Sequence, residues 1–283
     1  MKNNSLIINM LRLLRWPNLL IVAVTQYAAA YFLIHDMQLP VLLGDWRMLV
    51  VSMSTVLIAA GGYVINDYYD VKIDYINKPE RVVVGRFLKR RTTLTLHAVL
   101  NGLGILGGFA VSWQLGAINV LAAGLLWLYS NQLKRLPLLG NIIVALLTGA
   151  AVFVLFVLYR QALFLFATYA AFAFFISLMR EIVKDMEDLE GDKEFGCQTL
   201  PIVIGLRRAK VVIYFISLTF LLAVAALMQH EARFWWVFSG LVVMLSWHAY
   251  KLYRADKSSD FGRLSTLNKQ IMILGLISML FMK

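Results

Sequence analysis

Long stretches of this chain carry no charged residue, and they constrain its fold more than any motif does. Asn18–Ile34, Met48–Ile65, Thr92–Leu133, Leu136–Tyr159, Gln161–Met179, Val211–His230 and Phe234–Tyr250 contain no Asp, Glu, Lys or Arg. A helix that crosses a bilayer needs about 17–25 predominantly apolar residues. Six of the runs fit one helix each. Thr92–Leu133 has 42 residues, too many for one crossing, and is predicted to form a helical hairpin turning near Trp113-Gln114. Leu264–Met282 carries only Lys269 and supplies a last span. The pattern predicts an all-α polytopic membrane protein of nine transmembrane helices, a single domain over residues 1–283. The first run is read as a span rather than a cleaved signal peptide, because the later spans need it to balance the topology. Ser5–Leu14, moderately apolar and flanked by charge, suits an amphipathic segment at the interface.

Composition agrees. Hydrophobic residues make up 60% of the chain and charged residues 15%, against about 45–50% and about 25% in soluble domains. This excludes an ordinary cytosolic enzyme, a disordered chain and a disulfide scaffold. The single cysteine, Cys197, excludes an internal disulfide and a Cys-based metal cluster. With nine spans the loops alternate sides, and 23 of the 27 basic residues fall on one side. That asymmetry predicts a cytoplasmic N-terminus and an outer C-terminus in the cell membrane. The net charge of +11 is then read as loops facing anionic membrane lipids rather than as a nucleic-acid surface.

The acidic residues are concentrated. Asp67, Asp70, Asp74 and Glu80 follow the second span, and Glu181, Asp185, Glu187, Asp188, Glu190, Asp192 and Glu194 follow the sixth, so 11 of the 16 acids lie in two short stretches on the predicted cytoplasmic side. If the second helix continues past its apolar run, Asn66, Asp70 and Asp74 lie at i, i+4 and i+8 on one face, drifting by about 40° per step. Asp188 and Asp192 repeat the i, i+4 spacing, with Asp185 one turn earlier. Like charges at that spacing destabilise a helix, so a compensating cation is expected. Donor sets made only of oxygen suit a hard ion, Mg²⁺ first, which takes one or two carboxylates and fills its other positions with water and phosphate oxygens. Lys72, Lys78 and Arg81 beside the first cluster, and Arg180, Lys184 and Lys193 beside the second, suit a polyanionic ligand such as a diphosphate. They would equally serve to enforce topology.

These residues resemble the UbiA superfamily of intramembrane prenyltransferases. Asn66-Asp67-x-x-Asp70-x-x-x-Asp74 is similar to its first signature and Asp188-x-x-x-Asp192 to its second. Arg15-Trp16-Pro17-Asn18, Asn77-Lys78-Pro79-Glu80-Arg81, Tyr129-Ser130 with Lys134-Arg135, Gly140-Asn141, and Gly196 with Thr199-Leu200-Pro201 resemble further blocks of the family, covering Arg15 to about Pro201. The resemblance implies nine helices in a ring around a lipid-facing cavity, capped by cytosolic loops that carry the motifs. It implies that Mg²⁺ binds an isoprenyl diphosphate, that the diphosphate leaves, and that the prenyl cation alkylates an acceptor. Asp70, Asp74, Asp188 and Asp192 would be the catalytic carboxylates. Together with Asn66, Asp67 and Asp185 they would form the metal-binding set. Asn18, Lys72, Arg81, Tyr129, Ser130, Lys134, Arg135, Asn141, Arg180 and Lys184 would contact substrates.

Arg180-Glu181-Ile182-Val183-Lys184-Asp185-Met186-Glu187-Asp188-Leu189-Glu190-Gly191-Asp192 is similar to the ether-lipid branch of the family. That branch moves a geranylgeranyl group from its diphosphate to the free hydroxyl of geranylgeranylglyceryl phosphate. Val82-Val83-Val84-Gly85 departs from the family, where many relatives carry a Pro- and Ser-containing run before the Gly. Prenylation of an aromatic quinone precursor or a tetrapyrrole stays open as an alternative. A divalent-cation transporter is disfavoured, since no acid lies mid-span. Gly102, Gly104, Gly107 and Gly108 are read as sites of close helix packing rather than as a tail-binding stripe.

Overall fold

The computed structural model describes residues 2–77, 79–227 and 234–283. Its elements are α1 (Lys2–Leu14), α2 (Trp16–Leu33), α3 (Leu39–Gly44), α4 (Trp46–Asn77), α5 (Arg90–Val111), α6 (Trp113–Asn131), α7 (Leu139–Tyr159), α8 (Leu163–Glu187), α9 (Leu189–Glu194), α10 (Leu200–Ile204), α11 (Leu206–Leu227), α12 (Phe234–Arg254) and α13 (Ser258–Ser278). The all-α expectation holds, and no strand occurs among the described residues. Helices α4, α5, α7, α8 and α11 and the segment Ser258–Phe281 are long and apolar enough to cross a membrane, six candidate spans in all. Helices α2, α6 and α12 stand where further runs predict helices, with 18, 19 and 21 residues, but fall outside that set.

Local chemistry explains the breaks. The 42-residue run is split at Ser112, one residue before the expected turn. Ser112 is extended, with φ −161°, and its hydroxyl accepts the Leu115 N–H at 3.2 Å as the N-cap of α6. Arg15 divides α1 from α2 by adopting a left-handed φ of 52°. Pro17 follows in the first turn of α2, where its missing N–H costs no helical hydrogen bond.

The chain packs into two compact units: Met1–Tyr31 with Asp36–Leu133 and Val154–Gln161, and Phe32–His35 with Lys134–Phe153 and Ala162–Lys283. In the first unit α4 and α5 approach closely through small residues. A Cβ on Gly104 would lie 2.7 Å from the Ile58 side chain and 3.0 Å from the Ser54 carbonyl oxygen, and one on Gly61 would meet the Asn101 amide at 2.8 Å. Asn119 on α6 donates Nδ2 to the Gly104 carbonyl at 2.9 Å. Gly107 and Gly108 also sit against neighbours, Ser54 and Asn119, but Gly102 faces open space. The packing reading therefore applies to three of the four glycines.

Val82, Val83 and Val84 are buried. Val83 and Val84 pack with Leu13 of α1 and Val64 of α4. The residues that depart from the family pattern thus fill a core that joins α1 and α4 to the loop before α5. In the second unit α8 packs against α13 and α11. Phe220 lies 5.3 Å from both Phe172 and Phe175, edge-on to the first and stacked on the second. Tyr169 and Ser278 share a buried hydrogen bond of 3.1 Å between their hydroxyls.

Candidate functional site

The acidic motifs belong to different compact units. In the first, α4 runs unbroken for 32 residues to Asn77. Asn66, Asp70 and Asp74 therefore lie on one helical face, each half-buried. Asp67 leaves that face. Arg15 donates from Nη2 to Asp67 Oδ1 at 2.8 Å, and the same guanidinium lies 4.9 Å from the Tyr63 ring centroid. The left-handed turn at Arg15 thus points its side chain at the first motif. Arg90 at the start of α5 lies 4.4 Å over Tyr68, inside the motif. Asn18 is half-buried in the first turn of α2, and Lys72 is exposed. Lys78 and the Arg81 side chain lie outside the described residues. At the end of α6, Tyr129 is half-buried, and Ser130 is buried and donates its hydroxyl to the Leu126 carbonyl at 2.9 Å.

In the second unit α8 ends at Glu187, and Asp188 joins it to the short helix α9. The joint keeps helical spacing, since the Asp192 N–H donates to the Asp188 carbonyl at 3.1 Å. Asp185, one turn earlier, accepts a hydrogen bond from the buried Asn141 of α7, Nδ2 to Oδ2 at 2.8 Å. Two predicted substrate contacts converge on a residue outside the predicted set. Glu181 is 5% exposed. It accepts Arg180 Nη1 on Oε1 at 2.7 Å and Lys184 Nζ on Oε2 at 2.9 Å. Lys134 is half-buried and Arg135 exposed in a 3-10 turn. The Arg135 carbonyl accepts the Gln198 N–H at 2.8 Å, which ties this turn to the segment after the second motif.

Sequence reasoning did not single out Arg15 or Glu181, which the structure pairs with predicted site residues. Arg15 was visible only as part of a family block, and Glu181 only as one acid among seven. Neither spacing reveals which carboxylate faces which cation.

Among the described residues no three Asp, Glu, His or Cys side chains gather closely enough to hold a metal ion by themselves. The donor chemistry nonetheless fits Mg²⁺. Both motifs offer only oxygen, and this ion takes one or two carboxylates and completes its shell with water and phosphate.

The UbiA prenyltransferase family model matches residues 19–280, nearly the whole chain. The chain belongs to the UbiA prenyltransferase family. This UbiA member is 30% identical over 237 residues to a Thermococcus sibiricus protein named digeranylgeranylglyceryl phosphate synthase, covering 82% of this chain and 83% of that one. It is 39% identical over 175 residues to a protein of the same name from Thermococcus gammatolerans, covering 62% of each chain. The match thus spans less than two thirds of that second relative. It also shares its fold with a solved structure described as giving structural and mechanistic insights into the biosynthesis of digeranylgeranylglyceryl phosphate synthase in membranes. The TM-score is 0.70 with 24% identity, covering 98% of both chains. A UbiA homologue from Archaeoglobus fulgidus, solved bound to DMAPP and Mg²⁺, superposes with a TM-score of 0.65 and 15% identity, covering 95% of this chain and 99% of that one. The protein is an integral membrane protein of this fold.

Proposed function

We propose that this UbiA member is a Mg²⁺-dependent prenyltransferase of ether-lipid synthesis. It transfers a prenyl group, with geranylgeranyl diphosphate the favoured donor, to the free hydroxyl of geranylgeranylglyceryl phosphate. The observation that carries the reading is the unbroken helix α4, which presents Asn66, Asp70 and Asp74 on one face beyond its apolar run. The Thermococcus relatives' shared name supports the choice of acceptor, and the ligands of the Archaeoglobus homologue support the donor class and the ion. The same reading makes the chain one domain of nine spans in a ring, with both motifs on the cytoplasmic side of the cell membrane.

The chemistry follows from the side chains. Asp70, Asp74, Asp188 and Asp192 serve the metal–diphosphate, and Asn66, Asp67 and Asp185 support them. When bound, Mg²⁺ neutralises the charge that develops on the leaving diphosphate. Lys72, Arg81, Arg180 and Lys184 add fixed positive charge to the same end of the donor, and Asn18, Tyr129, Ser130 and Asn141 orient it. The allylic C–O bond breaks, its electron pair leaves with diphosphate, and the acceptor hydroxyl oxygen forms the new C–O bond while its proton passes to the departing diphosphate. The apolar helices exclude water, which would otherwise capture the cation. Lys134 and Arg135 hold the acceptor phosphate.

Purified protein given geranylgeranyl diphosphate, geranylgeranylglyceryl phosphate and Mg²⁺ should form the diether phosphate, detected by mass spectrometry. Prenylation of p-hydroxybenzoate with no diether product would overturn the ether-lipid assignment and leave the prenyltransferase reading standing.

A further inference from the structure

The end of α12 and the start of α13 enclose a pocket of about 410 Å³, on a segment tied to the end of α8 by the Ser258 hydroxyl, which donates to the Glu187 carbonyl at 2.8 Å. Three cations line it: Lys251 and Arg254 from α12 and Arg263 from α13. Among the described residues none of the three makes a direct salt bridge, although Arg263 interacts electrostatically with Asp260. Lys251 instead lies 4.7 Å over the ring of Trp247, itself on the wall of the pocket, and Arg254 lies 5.2 Å over Tyr250. The one acid on the wall, Asp260, is already engaged. Its Oδ2 accepts the backbone N–H groups of Asp256 and Lys257 at 3.3 and 3.2 Å, capping α13. The pocket therefore keeps a formal charge of plus two, facing outward. Its floor is apolar, with Leu264 and Leu267. Segment Ser258–Phe281 is a candidate span, so a pocket on its first turns lies at the membrane–water boundary. Trp247, 48% exposed one turn below Lys251, suits that depth.

Positive charge above an apolar, Trp-bearing wall is the chemistry that recognises an anionic lipid at a membrane surface. We propose that this pocket binds the phosphate of an anionic membrane lipid. Lys251, Arg254 and Arg263 hold the phosphate, and the lipid chains run down past Trp247 and Leu267.

The full chain in detergent, titrated with phosphatidylglycerol and with phosphatidylcholine and followed by native mass spectrometry, tests this. Phosphatidylglycerol should bind about tenfold more tightly, because the choline ammonium would face the three cations. A basic residue near an anionic surface contributes roughly fivefold in affinity. The K251A/R254A/R263A variant should therefore weaken phosphatidylglycerol at least about tenfold. The charge-keeping K251R/R254K/R263K variant should bind it as the unmodified protein does. The R207A/R208A variant, which removes two exposed cations outside the pocket, should also bind it normally. Equal binding of the two lipids, undiminished binding by the triple-alanine variant, or an equal loss in R207A/R208A would overturn the proposal. Inorganic phosphate separates the sources. Displacement of the lipid by equimolar phosphate would make this a free-anion site and overturn the lipid assignment.

Discussion

Asn141 on α7 donates its side-chain amide to Asp185 on α8, Nδ2 to Oδ2 at 2.8 Å. A residue 44 positions away in sequence thus holds a carboxylate at the edge of the second acidic motif. Buried polar pairs of this kind orient the groups they touch, and removing such a supporting partner from a metal site costs roughly 10–100-fold in activity. Asn141→Ala is expected to lower kcat about tenfold or more. Asn141→Asp should do worse, because it places a second carboxylate against Asp185. Steady-state kinetics of both variants, with thermal unfolding as the fold control, checks this. Undiminished kcat in Asn141→Ala would show that Asp185 needs no holding.

Asp70→Ala, Asp74→Ala, Asp188→Ala and Asp192→Ala should each lose at least about 100-fold in turnover while remaining folded, since none opens the apolar core. Asp67 and Asp185 should be milder. Asp67 is spent on Arg15 at 2.8 Å, and Asp185 on Asn141. Product formation by each purified variant in Mg²⁺ measures the order, and equal losses at all six positions would contradict it.

Chelation provides a separate test. EDTA should abolish turnover, and Mg²⁺ or Mn²⁺ should restore it. Zn²⁺ should restore it poorly, because neither acidic motif contains His or Cys. Full turnover in EDTA would leave the basic residues alone to neutralise diphosphate.

Glu181 is buried between Arg180 and Lys184. Glu181→Gln keeps the shape and removes the charge, leaving one oxygen for two cations and an amide N–H₂ facing the other. The expected loss of stability is about 1–3 kcal/mol, read as a lower Tm in detergent. The freed cations should also change KM for the prenyl diphosphate more than kcat. A variant with unchanged Tm and KM would show that the pairing is incidental.

In the proposed function Lys134 and Arg135 hold the acceptor phosphate. Alanine at either position should raise KM for a phosphorylated glycerol-ether acceptor several-fold, with little change in KM for the donor. Equal shifts for both substrates would assign the turn to topology rather than recognition.

Much of the fold was legible because burial in a bilayer leaves a one-dimensional trace. A charge-free run of helical length has few other uses, so the runs located the long helices and the excess length of Thr92–Leu133 exposed a hairpin. The hairpin turned at Ser112, because an N-cap needs a side-chain oxygen at the first unsatisfied N–H groups and Ser112 supplies one. Gly104 was legible as a packing residue, but Gly102, two positions away, was not separable from it. Which glycine meets a neighbour depends on how α5 is rotated against α4.

The i, i+4, i+8 spacing of Asn66, Asp70 and Asp74 also needed only the sequence, since helical geometry alone places them on one face. Pairing was a different matter. That Arg15 reaches Asp67, that Asn141 holds Asp185, and that Glu181 gathers Arg180 and Lys184 follow from folding, which brings donors and acceptors within 3 Å of one another. Two of these three pairings also depend on where one helix lies against another. Local periodicity determined which residues share a helix face. Only tertiary packing decided that Arg15 meets Asp67 and that Asn141 meets Asp185, because sequence separation does not encode those distances, whereas Glu181 and Lys184 pair at i, i+3 on one helix.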